Sequence, residues 1–213
     1  RWHGCHKGTA RCFGTVRVGT PQYLLEGRWT PPCCLRALRA TARHVARRLE
    51  ESGVRYWLEG GSLLGAVRLG DIIPWDYDVD MGIYRDDADK CPWLAAVAAG
   101  GGRPVEDDQG FVWEKAAEGD FYRVHFSRAN RLHVDLWPFY ARGGVMTKDT
   151  WSGHAQDVEF PERFLLPTVP LEFGGFAVAA PNDARAFLEL KFGRGAVENP
   201  EYPNPAVLRM GRG

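Results

Sequence analysis

The spacing of apolar positions predicts a mixed α/β order. Leu35, Leu38, Ala42, Val45 and Leu49 recur at three- and four-residue steps with arginines between them, which predicts an amphipathic helix over 34–52, ended by Gly53. Residues 54–58 read as a short strand, and Gly60-Gly61-Ser62 as a glycine turn opening a short helix through Arg68. Over 75–83 the period changes to two, so Val79, Met81 and Ile83 form an apolar row on one face of a strand. A helix is predicted over 86–99, broken by three glycines at 100–102. Segments 111–115, 121–126 and 132–140 are aromatic and β-branched with glycine or Asn turns between them, and predict an antiparallel extension of the sheet. Residues 151–167 look irregular, and 183–192 have helical spacing through Ala186, Phe187 and Leu190, closed by Gly193 and Gly195. The proline-rich stretch 199–205 is too punctuated for a helix, so it is expected to lie over the surface or fold back on the site. No internal repeat is evident.

The strand over 75–83 also carries the first chemistry. Its alternation turns Asp76, Asp78 and Asp80 to the face opposite the apolar row, with bulky Trp75 and Tyr77 beside them. Acids so placed repel one another, and a hard divalent cation relieves that repulsion best, so Mg²⁺ or Mn²⁺ is expected. The competing reading is a solvated strand face. Backbone N–H groups at Gly61 and Ser62, at the positive end of a helix, suit a phosphate, and Arg68 would add a fixed charge. An anion cradle and a cation site would then come from neighbouring elements.

Composition narrows the setting without changing this picture. The chain has 213 residues, 45% of them hydrophobic, enough for a core of its own. Formal charge is zero, yet the first fifty residues carry ten Lys/Arg against two Asp/Glu. That excess suits either an acidic partner or the domain's own acidic surface, and no nucleic-acid partner is inferred from it. The chain starts at Arg1 with no signal peptide, long apolar run or Asn-x-Ser/Thr sequon, so it reads as a fragment and its location is not legible from these residues.

Cys5, Cys12, Cys33 and Cys34 fall in a Gly-, Pro- and Thr-rich opening segment that needs a constraint other than a core. Thiolates around a structural zinc would supply one, with His3 and His6 as substitute ligands. Disulfides are the alternative. A bond between the adjacent Cys33 and Cys34 would be strained, whereas cross-links from Cys5 and Cys12 to that pair are open. Cys91 is expected to pack in the core.

Gly-Gly-Ser followed by Asp-x-Asp-x-Asp is similar to the signature of the nucleotidyltransferase fold. The stretch 58–84, the His133-Val134-Asp135-Leu136-Trp137-Pro138-Phe139 segment and the Phe192-Gly193 close resemble the LicD/fukutin-type phosphotransferase family over nearly the whole chain. The resemblance implies a nucleotidyltransferase-like catalytic domain over 35–213, with a mixed, partly antiparallel sheet flanked by helices. It implies a zinc-binding loop over 1–34 held by Cys5, Cys12, Cys33 and Cys34. It further implies a catalytic Mg²⁺ or Mn²⁺ on Asp76, Asp78, Asp80 and Asp135, with substrate contacts from Gly61, Ser62, Arg68, Trp75, Tyr77, Gln156, Asp157 and Asn199. The implied reaction is transfer of ribitol 5-phosphate from CDP-ribitol to the phosphorylated O-mannosyl glycan of alpha-dystroglycan. The implied setting is the Golgi lumen, with a membrane anchor and a self-associating stem outside this chain. Phosphocholine transfer from CDP-choline, or an inactive glycan-binding domain, are the alternatives.

Overall fold

The computed structural model describes residues 30–199. Helix α1 (Pro32–Ser52) starts on a proline at its first turn and stops at Gly53, whose φ of 73° is the left-handed conformation of a helix end. Its apolar stripe, Leu38, Ala42, Val45 and Leu49, is fully buried. The central sheet runs β1-β2-β6-β5-β4-β3, from β1 (Tyr56–Leu58), β2 (Asp78–Tyr84), β3 (Val105–Glu106), β4 (Val112–Lys115), β5 (Tyr122–His125) and β6 (His133–Arg142). All neighbours are antiparallel except β2 and β6. The end of β6 pairs with β7 (Val145–Thr147), which pairs with β8 (Phe160–Pro161).

The two faces of β2 and β6 are different materials. Val79, Met81, Ile83, Val134 and Leu136 are buried on the side that α1 crosses. On the other side acids and a histidine come first and aromatic rings follow: Trp57 lies against Tyr84, Phe139 and Phe160. Gly82 makes room for that layer, since a Cβ there would stand 2.2 Å from the Trp57 ring. Helix α2 (Gly60–Leu69) packs on β2 and on α4 (Ala184–Phe192), and a separate hairpin, β9 (Val169–Phe173) and β10 (Phe176–Ala180), lies beside β1.

The mixed α/β class and the antiparallel extension match the sequence reading, and several boundaries move. The helix expected over 86–99 is a 3₁₀ turn, Arg85–Lys90, followed by α3 (Pro92–Ala99), because Pro92 holds Cys91 in an extended conformation. Strand β2 begins at Asp78 rather than 75, because Asp76 N–H donates to Ile73 O in a turn. Asp76 therefore precedes the strand. The hairpin β9–β10 falls where no element was expected, and the division at 34/35 falls inside α1. No helix among the described residues is long and apolar enough to cross a membrane.

Candidate active site

The parallel pairing of β2 with β6 sets Asp78 opposite His133 and Asp80 opposite Asp135. One donor atom from each of Asp78, His133 and Asp135 lies within 4.8 Å of the other two. The start of α2 is tied to this row from both sides of Asp80: its N–H donates to Ser62 Oγ at 2.9 Å and its carbonyl accepts from Glu59 N–H at 2.9 Å. Asp80 Oδ1 accepts from Trp137 Nε1 at 3.1 Å, and Asp135 Oδ1 from Arg123 Nε at 2.8 Å.

The electrostatics are those of a crowded anion site. Burial and then the neighbouring Asp80 push the Asp76 carboxyl up to about 7, and burial and then Asp135 push Asp80 up to about 6. Asp135 is the group that ionises: burial works against it, but His133 and Arg123 outweigh burial and hold it below the usual carboxylate range. His133 Nδ1 lies 3.1 Å from the Arg131 carbonyl, an acceptor, so Nδ1 carries a proton and donates to it. Its Nε2 is buried without a hydrogen-bond partner, 3.5 Å from Asp135 Oδ2. One imidazole nitrogen and two carboxylates converging within 4.8 Å of one another make a donor set that fits a divalent ion.

Asp78, Asp80 and Asp135 form the floor of a cleft of about 420 Å³, while Asp76 and His133 stand outside its lining. One wall is α2 with Glu59, whose carboxylate accepts from Trp57 Nε1 and Gly60 N–H and pairs with Lys191 Nζ at 2.6 Å. The other wall is aromatic: Phe121 stacks on Trp137, and Lys148 Nζ sits 3.9 Å from the Trp137 ring centre. Asp157 holds that ammonium at 2.8 Å.

Of the residues expected from the sequence, Gly61, Asp78, Asp80, Asp135, Gln156 and Asp157 line the cleft. Ser62 is buried beneath it as the acceptor for Asp80 N–H. Arg68 does not line the cleft. It stands in the last turn of α2 and donates to the carbonyls of Ala196, Val197 and Asn199, which ties down the segment after α4. Asn199 turns back on Gly195, and Trp75 and Tyr77 lie outside the lining, Trp75 packed against the core and Tyr77 exposed. Sequence reasoning missed Glu59, Arg123, His133, Lys148 and Lys191. His133 had a signal, two residues before Asp135 on the same strand face; the lysines had none. Cys33 and Cys34 each take part in a disulfide and Cys91 is free and buried, while Cys5 and Cys12 lie outside the described residues.

A carboxylate row and a helix start facing a cation-walled cleft define a nucleotidyltransferase-type site. A family model described as LicD/FKTN/FKRP, nucleotidyltransferase domain, matches residues 53–183, and the chain belongs to that family. Ribitol 5-phosphate transferase FKRP of Mus musculus is 68% identical over 209 residues, 98% of this chain and 42% of the relative. The Homo sapiens protein of that name shows the same identity and coverage. Ribitol-5-phosphate transferase FKTN of Homo sapiens is 28% identical over 186 residues, 85% of this chain and 38% of the relative. The chain thus spans less than half the length of these curated relatives.

Proposed function

We propose that this domain transfers ribitol 5-phosphate from CDP-ribitol to the phosphorylated O-mannosyl glycan of alpha-dystroglycan, in the Golgi lumen. The observation that carries the reading is the Asp78, His133 and Asp135 donor set, whose two acids line, with Asp80, a cleft walled by Lys148 and Arg123. Similarity to the ribitol 5-phosphate transferases supports the choice of group transferred.

In this reading Asp78, Asp80, His133 and Asp135 would hold Mg²⁺ or Mn²⁺. The bound ion would neutralise the donor's pyrophosphate and the departing CMP. Gly61, at the start of α2, would hold phosphate oxygens, and Arg123 and Lys148 would add positive charge at the wall. An acceptor hydroxyl oxygen attacks the phosphorus bearing ribitol, the bond from that phosphorus to the CMP oxygen breaks, and the hydroxyl proton passes to Asp76 or solvent. The test is a mass-spectrometric assay of CMP release from a panel of CDP-linked donors, with and without Mg²⁺ or Mn²⁺. CDP-ribitol should lead and chelation should silence it; full turnover by metal-stripped protein would remove the ion from the scheme.

The four-sulfur zinc site remains part of the proposal. Sulfurs close enough to form a disulfide need separate by only ~2 Å to share a tetrahedral zinc. One tightly held zinc per chain by elemental analysis, released with thiols on acidification, is expected. Zinc-free protein with two disulfides by mass spectrometry would exclude it.

A further inference from the structure

Two rings of the cleft lining, Trp137 and Trp151, and the fully buried Phe139 surround one point in space, an arrangement of the kind proteins use to hold a quaternary ammonium. Here the point is filled by the protein's own cation. Lys148 Nζ lies 3.9 Å from the centre of the Trp137 ring, 5.0 Å from Trp151 and 5.1 Å from Phe139. Its side chain is only 3% exposed, and its carboxylate partner Asp157, at 2.8 Å, is 12% exposed.

We propose that Lys148 selects the donor's head group: its ammonium occupies the cation position of the Trp137–Phe139–Trp151 recess, so a polyol phosphate is accepted there and a trimethylammonium group is refused. The proposal rests on the reading above that the cleft takes a CDP-linked donor. An ammonium has three N–H donors, and Asp157 accepts one, which leaves donors for hydroxyl or phosphate oxygens. A trimethylammonium group has no acceptor to offer. It would have to stand beside a like charge or displace Lys148 and leave Asp157, still bonded to the Ser152 N–H, without its cation. The same side chain thus attracts one head group and repels the other.

The experiment compares wild type with Lys148→Met and Lys148→Arg. Binding of choline chloride is followed by saturation transfer to its methyl protons, and CDP-ribitol competes with CDP-choline in a mass-spectrometric turnover assay. Expected are no saturation transfer in wild type or Lys148→Arg and clear transfer in Lys148→Met. The preference for CDP-ribitol should fall at least tenfold in Lys148→Met, about 1.4 kcal/mol of discrimination. Choline binding to wild type as strongly as to Lys148→Met, or an unchanged preference in the folded variant, would overturn the proposal. If Lys148→Met fails to fold with Asp157 unpaired, the double variant Lys148→Met/Asp157→Asn removes the stranded charge and is read the same way. Choline binding needs no turnover, so a domain inactive with CDP-ribitol would sink the proposed function while the titration still ruled on Lys148.

Discussion

Asp107 and Asp80 are both acids drawn into the body of the domain, and their surroundings treat them in opposite ways. Asp107, just beyond β3, accepts from His44 at 2.6 Å, Trp113 Nε1 at 2.8 Å, Gln109 N–H at 2.9 Å and Phe111 N–H at 3.1 Å. Burial disfavours its charge, but the bonds from Trp113 and His44 outweigh burial and hold it below the usual range. Asp80 accepts one side-chain bond, from Trp137, and faces Asp135. Burial and that neighbour push it up to about 6. A carboxylate surrounded by donors holds a fold together, whereas one left beside other carboxylates stores an affinity for a cation.

Substitutions should separate the two kinds of acid. The largest effect is expected from Asp80→Asn, which should lower CMP release by ~10²-fold or more, the scale of losing one preorganised charge. Its melting temperature without divalent ions should equal or exceed wild type, since a repelled charge is gone. Near-wild-type turnover would end the distinction. Asp107→Ala should do the reverse: the buried His44 and Trp113 donors lose their acceptor, costing ~3 kcal/mol or more in a denaturant titration, with turnover per folded molecule retained.

The smallest effect is in pH. Asp76 and Asp80 have raised native values, about 7 and about 6, so the stability linked to their protonation is complete below the unfolded value near ~3.9 and is lost as pH rises through the native ones. Asp107, lowered, contributes stability above ~3.9 that is lost as pH falls through its native value. Metal-stripped wild type should therefore melt at lower temperature as pH rises from about 5 to about 8, with a shallower slope in Asp80→Asn. Added Mg²⁺ or Mn²⁺ should flatten the slope. Equal slopes in the two proteins would show that the cleft acids are not the source.

The acid row was legible because two signals coincide in it, carboxylates at alternate positions and an unbroken apolar row between them. The helix start at Gly60 was legible from its glycines. Arg68 falls outside the cleft lining, which periodicity does not show, because helical spacing gives the side of a helix and not its depth: at 1.5 Å per residue it stands roughly 10 Å beyond the N-terminal turn. Lys191 follows Leu190 in an amphipathic helix and looks like any solvated lysine, yet Leu190 is exposed and Lys191 buried, because Glu59 lies across from it. Lys148 follows a strand that hairpins off the end of β6, and it is buried by Asp157 and the Trp137 ring, which come from other parts of the chain. Charges buried by tertiary partners leave no periodic trace.

The single parallel pairing in the sheet has a further consequence, for the order in which the protein can come alive. Antiparallel neighbours can form as soon as a hairpin is made, but a parallel partner has to return after a crossover. Asp78 and Asp80 leave the ribosome long before His133 and Asp135, with α3 and β3 to β5 between them, and β6 takes its place between β2 and β5. Such distant contacts raise the contact order and slow folding. A nascent chain ending anywhere before β6 therefore carries half of the proposed cation-binding groups and none of the completed cleft, so the site is assembled in one late step of biogenesis.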